Sequence, residues 1–292
     1  MTHVFHPTDF SQASDVAFAH ALKLALVTTG ALTVFHYAHR DELEQDQHEF
    51  PRVRDTLTQW GLLPPGSSRT AVGDTLGIHV RKIAVGGDNP IDAISAYVTR
   101  HPADLMVLAT HQRSGAARWL NSEVAAPLAR RLRLPALFVP PDVDGFVDLE
   151  TGAVRLRRIV VPVDRHPNPG SIIDALPGFI AALSAEPVSV DLLHVGGAAT
   201  MPHVRPPDAG ANITFAIRST EGEIVEEILR AAAAGPADLL VLPTEGRQGF
   251  LDALRGSTTE QVVRMAGCPV LAVPADPAAS ATSHSDTEPR RS

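Results

Sequence analysis

Two tandem α/β units, each a five-stranded parallel sheet flanked by helices, are predicted by this sequence on three observations. Short apolar runs bounded by Pro and Gly, such as Leu239 to Leu242 and Val270 to Val273, have the length and uniform apolarity of strands buried on both faces. Such runs alternate with helix-periodic stretches, and the order that results is βαβαβαβαβ. The pattern then occurs a second time. THVFHPTD aligns with RRIVVPVD, pairing Pro7 with Pro162 and Asp9 with Asp164. LTVFHYAHR aligns with VDLLHVGGA, ADLMVLATHQ with ADLLVLPTEG, and LPALFVPPD with CPVLAVPAD. Matching blocks in one order mean two copies of one fold.

In the first copy, Val4 to His6 reads as the first strand, and Asp9-Phe10-Ser11 leads into a helix from Ala13 to Leu26 that Gly30 stops. Ala31 to Tyr37, rich in β-branched and aromatic residues, is the second strand. Pro51 to Trp60 is a helix in which Phe50, Val53, Leu57 and Trp60 share a packing face. Ile78 to Val85 is the third strand, and Asn89-Pro90 caps and opens the helix running to Tyr97. Leu105 to Ala109 and Ala136 to Val139 are the fourth and fifth strands, separated by a loop and a helix from Glu123 to Leu132. The boundaries that follow are a first domain over 1–141, a linker over 142–153, a second domain over 154–275 and a disordered polar tail over 276–292.

The second copy opens with a strand from Arg155 to Val163, a helix from Ser171 to Leu183 and a strand from Val188 to Val195. It is then shorter than the first, and Pro202, Pro206 and Pro207 cannot sustain a helix there, so a loop is expected in place of the first copy's second helix. Thr220 and Glu223 have capping-box spacing before a helix that runs through Ala233. Between the strand Leu239 to Leu242 and the strand Val270 to Val273 lies a glycine-bearing loop, with Gly246, Gly249 and Gly256 followed by Ser257 and Thr258 at a helix start. Small residues there admit a ligand to the backbone, and a helix N-terminus beyond the carboxyl end of a strand favours an anion.

That stretch resembles the universal stress protein family, whose ATP-binding members carry G-x2-G-x9-G-S/T between the fourth strand and fourth helix. Gly246, nine residues, then Gly256-Ser257 match its second half, and Pro243 holds the place of its first glycine. The resemblance extends through CPVLAVP and covers nearly all of residues 1 to 275. It implies a Rossmann-like strand order of 3-2-1-4-5 in each copy, with the copies packed through their fifth strands as a pseudo-twofold pair. It also implies a site for ATP or AMP in the second copy, with magnesium accompanying a triphosphate. The residues it marks are Pro162, Val163, Asp164, Val195, Leu242, Pro243, Gly246, Arg247, Gly249, Gly256, Ser257 and Thr258. In the first copy the three glycine positions fall on Ala109, Gln112 and Asn121, side chains that would crowd a triphosphate.

Composition narrows the function classes. A formal net charge of -8 argues against a nucleic-acid binder, no run approaches the ~20 apolar residues of a membrane helix, and a cytoplasmic protein is expected. The single cysteine, Cys268, precedes a buried strand and reads as an inert core thiol. His6, His36, His39 and His111 fall at or just past strand ends of the first copy, which makes a metal-binding variant conceivable without a dedicated ligand spacing. No Walker lysine, GxSxG or HExxH is present, so a binding or signalling module without fast turnover is expected. A slow ATPase and a nucleotide-free scaffold for protein partners are the alternatives, as a monomer with an internal pseudo-dimer or as a homodimer.

Overall fold

The computed structural model describes residues 2–39, 50–110, 128, 131–140, 143–244 and 258–275. The first copy contains β1 (His3–Thr8), α1 (Gln12–Val27), β2 (Ala31–His39), α2 (Val53–Gln59), α3 (Ala71–Leu76), β3 (His79–Gly87), α4 (Pro90–Arg100), β4 (Leu105–Ala109) and β5 (Ala136–Val139). The second contains β6 (Arg158–Pro162), α5 (Gly170–Leu183), β7 (Val188–Val195), β8 (Ile213–Thr220), α6 (Ile224–Ala234), β9 (Leu239–Thr244), α7 (Thr258–Met265) and β10 (Val270–Pro274). Neighbouring residues along the central strands are buried alike: Val4 and Phe5 in β1 are fully covered, as are Ile159, Val160 and Val161 in β6. Burial of successive residues means that both faces of the sheet are packed, as parallel strands require.

All ten strands form one sheet in the order β3-β2-β1-β4-β5-β10-β9-β6-β7-β8. Each half thus has the order 3-2-1-4-5 that the family resemblance implies, with every pairing inside a half parallel. The halves meet where β5 and β10 pair antiparallel, with Val270 opposite Phe138, Leu271 opposite Leu137 and Ala272 opposite Ala136. In the repeat alignment Leu137 corresponds to Leu271, so the register is self-complementary and the pseudo-twofold passes through that pair. The pairing removes two apolar edges, which left open would be sites of aggregation.

The repeat is also visible bond by bond. Asp104 accepts the His3 N–H at 2.8 Å, and Asp238, its counterpart, accepts the Arg158 N–H at 2.9 Å, so the ADL blocks tie the fourth strand of each copy to the first. Two elements depart from the sequence reading, and a third segment follows it. Helix α3 was not read, because six residues are too few to show a period. Strand β8 occupies Ile213–Thr220, so Thr220 ends a strand instead of capping a helix; its hydroxyl bonds Glu227, and the N-cap Glu223 makes no side-chain cap. The proline segment after β7 has only a 3₁₀ turn at Ala198–Thr200 before β8, so the loop expected in place of a second helix is what stands there.

Within the second copy, Asp191 of β7 binds two arginines from flanking strands. Arg158 of β6 donates to Oδ2 at 2.7 and 3.0 Å, and Arg218 of β8 to Oδ1 at 2.8 Å. Arg158 also reaches the carbonyls of Ala231 and Gly235 at the end of α6. Burial works against the Asp191 charge, but the Arg218 and Arg158 hydrogen bonds outweigh it and hold the carboxyl below its ordinary range. Asp191→Ala is expected to cost about 2 kcal/mol, less than a fully buried pair because Arg218 is mostly exposed. A urea-unfolding loss below ~0.5 kcal/mol, the level of an ordinary surface substitution, would show that the three strands hold without this link.

Residues 143–153, within the segment read as a linker, are folded against the first copy. Val147 and Val154 form an antiparallel bridge, Phe146 is fully buried, and the Trp60 indole donates to the Leu149 carbonyl at 3.0 Å. The imidazole of His20 on α1 accepts the Phe146 N–H at 3.0 Å and the Val147 N–H at 3.3 Å. Cys268 is buried, and burial pushes its thiol up to about 11, as suits an unreactive core position. Among the described residues no helix is long and apolar enough to cross a membrane.

Candidate functional site

In each half, strand order reverses direction between the first and fourth strands, and a crevice opens beyond their carboxyl ends at such a switch point. In the second copy this lies between β6 and β9. Pro162 ends β6 and is followed by Val163 and Asp164; Val195 ends β7; Leu242 and Pro243 lie near the end of β9. The fold therefore brings these six of the sequence-marked residues to one edge of the sheet. Thr258 opens α7 and is exposed. Gly246, Arg247, Gly249, Gly256 and Ser257 lie outside the described residues.

Local bonding sets the shape of this edge. His194 Nδ1 donates to the Val163 carbonyl at 3.1 Å, and its Nε2 pairs with the Thr200 hydroxyl at 3.0 Å. Arg165 donates to the Ala199 carbonyl at 2.7 Å, tying the loop after β6 to the 3₁₀ turn after β7. Asp164 is exposed, and its Oδ1 accepts the Arg165 N–H at 2.7 Å. Leu242 is buried, whereas Pro162, Val195 and Pro243 are half-buried.

The equivalent edge of the first copy is built from the same bond and filled differently. His36 Nδ1 donates to the Thr8 carbonyl at 2.9 Å, matching His194 on Val163. Phe10, whose φ is +57°, stacks on His36 with ring centroids 4.1 Å apart, and Phe50 meets Phe10 edge-on at 5.3 Å. Asp9, the counterpart of Asp164, accepts the Ser11 N–H at 3.1 Å and the Ser14 hydroxyl at 2.7 Å, bracing the start of α1. An aromatic cluster thus covers the place that the second copy leaves to Arg165.

Among the described residues, Nε2 of His6 and Oγ1 of Thr244 are buried at these edges with no hydrogen-bond partner. Thr244 ends β9, two residues beyond Leu242, and was not singled out by sequence; its position directly before the glycine-bearing loop was the available signal. His6 Nδ1 donates to the Val107 carbonyl at 2.9 Å, and burial lowers its pKa to about 4. Among the described residues no group of three metal-ligating side chains converges. The side chain of His39 and all of His111, two of the four histidines weighed as ligands, lie outside the described residues.

A paired α/β sheet with a topological switch point in each half defines the class of protein. The Universal stress protein family matches residues 1–140 and 205–274, and the chain belongs to that family. Residues 154–204 of the second copy fall outside the match, and the repeat and topology supply the assignment there. Among solved structures, a universal stress protein from Archaeoglobus fulgidus DSM 4304 is 13% identical, with 94% of this chain and 97% of that chain covered and a TM-score of 0.56. A protein of unknown function from Pseudomonas aeruginosa PAO1 is 17% identical over 94% and 93% of the two chains, with a TM-score of 0.57. At these identities the likeness speaks for the fold. A search of curated proteins found no match.

Proposed function

We propose that this protein is a cytoplasmic stress-response binding protein whose second copy holds an adenine nucleotide, ATP or AMP, without fast turnover. One contrast carries the reading. At equivalent places in the repeat, the first copy is filled by Phe10 stacked on His36, while the second leaves Asp164 exposed at the end of β6. An exposed carboxylate there can accept hydrogen bonds from the hydroxyl or amino groups of an adenosine. Among the described residues the hydroxyl of Thr244 has no protein partner, and a buried polar atom of that kind calls for a ligand or water. In the sequence that follows, Gly246, Gly249, Gly256 and Ser257 supply the small residues and hydroxyl that triphosphate approach needs, and magnesium would accompany the triphosphate.

Turnover is a separate matter, since phosphoryl transfer needs charge neutralisation and a group that positions water. Arg247 is the one cation in residues 243–258 before Arg255, and Glu245 repels phosphate. Calorimetry with magnesium and ATP should show saturable binding that weakens at least tenfold in Asp164→Ala and in Gly256→Val, and is unchanged in Phe10→Ala. Affinity lost in the Phe10 variant and kept in the other two would move the site to the first copy and end this reading. Phosphate release should stay below ~1 per second, the low end for enzymes.

A further inference from the structure

Beyond β3, the outer strand of the first half, lies a groove of 1040 Å³ between that strand and the α2 and α3 segments. Its lining includes Arg52 and Arg54 from the start of α2, Arg69 from just before α3, and Arg81 and Lys82 from β3. Among the described residues Asp55 and Asp74 are its carboxylates, so cations outnumber anions there although the chain as a whole is at -8. Arg52 and Asp55 approach to 3.9 Å, with both side chains about two-thirds exposed. Arg54 donates to the Ser67 carbonyl at 2.9 Å, which fixes its guanidinium at the loop.

We propose that this groove is a binding site for a small ligand carrying two or more linked phosphate groups. Cations set on β3 alone would be accounted for by protection of an open strand edge. Arg54 and Arg69 come from other segments and converge on the same space, which edge protection does not require. Their convergence leaves a signature on Lys82, whose ammonium pKa is lowered first by burial and then by Arg54 and Arg69. Like charges held together are costly until a counter-anion arrives.

Backbone geometry adds donors. The His79 N–H bonds the Gly30 carbonyl at 3.1 Å, so it faces β2, and strand alternation turns the Val80 and Lys82 N–H groups outward to the groove. Guanidinium forks suit phosphate oxygens bidentately, and the volume lies just above the range usual for small-ligand pockets, ~300–1,000 Å³. An acidic peptide paired along β3 would draw on cations spaced down that strand, whereas three segments encircling one space suit a compact anion.

The test is calorimetric titration of the full chain with tripolyphosphate at about 0.15 M salt, with amide shifts followed by NMR. A saturable event with shifts at residues 52–55, 69–74 and 79–82 is expected, whether or not the second-copy loop also binds. The triple variant R54A/R69A/K82A should lose at least tenfold in affinity, and each single variant at least threefold, with melting temperatures equal to or above the parent because mutual repulsion is relieved. Gly256→Val, which closes the second-copy loop to a triphosphate, should keep the shifts at residues 52–55, 69–74 and 79–82, which separates this site from the second-copy crevice. No binding, undiminished groove shifts in the triple variant, or shifts confined to residues 243–258 would overturn the proposal. Tighter binding of hexaglutamate, with slowed amide exchange along β3, would overturn it too, by reassigning the groove to a peptide.

Discussion

Gly145→Ala is expected to lower the melting temperature by on the order of 10 °C, at 2–4 °C per kcal/mol for a chain of this size class. Gly145 has φ +69°, and a β-carbon there would fall 2.3 Å from both Cε1 and Nε2 of His20. The ring cannot yield easily. It is fully buried, its Nδ1 donates to the Val16 carbonyl at 2.8 Å, and its Nε2 holds the two N–H groups of Phe146 and Val147. Left-handed strain costs about 1 kcal/mol by itself, and displacing the ring adds lost hydrogen bonds of about 1 kcal/mol each. Gly210 is the control, with φ +73° and nothing among the described residues within 4 Å of where a β-carbon would stand. Equal losses for Gly145→Ala and Gly210→Ala would mean that backbone strain is the whole effect and the His20 contact is idle.

Mild acid should weaken the fold through His6 and His20. Burial lowers the pKa of each from 6.5 to about 4, only partly offset by the Val107 carbonyl at His6 and the Val16 carbonyl at His20. Between those values the unfolded chain binds protons that the folded chain refuses. Stability from these groups is therefore fully present above pH 6.5 and is lost as pH falls toward 4. Between pH 7 and pH 5 the loss is about 2 kcal/mol for each histidine. Urea midpoints at pH 7, 6 and 5 measure it, in a window above the ordinary carboxylate range. His20→Gln should remove about half of the slope, and a midpoint that does not move from pH 7 to pH 5 would refute buried neutral imidazoles.

Much of the fold could be read in advance because the chain states it twice. Asp104 and Asp238 looked alike in the ADL blocks, and they perform the same bond between the first and fourth strands. His36 and His194 aligned in sequence, and both donate to the carbonyl that follows the proline of the first strand. Contacts between distant residues left no such mark. The Trp60 stripe read as helix packing, yet its indole nitrogen bonds Leu149, and nothing local in DVDGF announces that its backbone will meet His20. The same holds at the candidate site. Asp164 and Val195 were marked by alignment, but Phe10 filling the first copy depends on a left-handed backbone angle that no pattern of side chains predicts.

The antiparallel meeting of β5 and β10 sets more than the shape of the sheet. Because both partners belong to one polypeptide, their association is first-order: dilution does not separate them, and no second molecule is needed to bury Leu137 against Leu271. Covalent linkage also lifts a restriction on sequence change. In an assembly of identical chains every substitution appears on both sides of the axis, so a residue that closes one crevice closes its mate. Here Phe10 stands on one side and Arg165 at the corresponding place on the other, a pair of choices that a symmetric assembly could not hold at once.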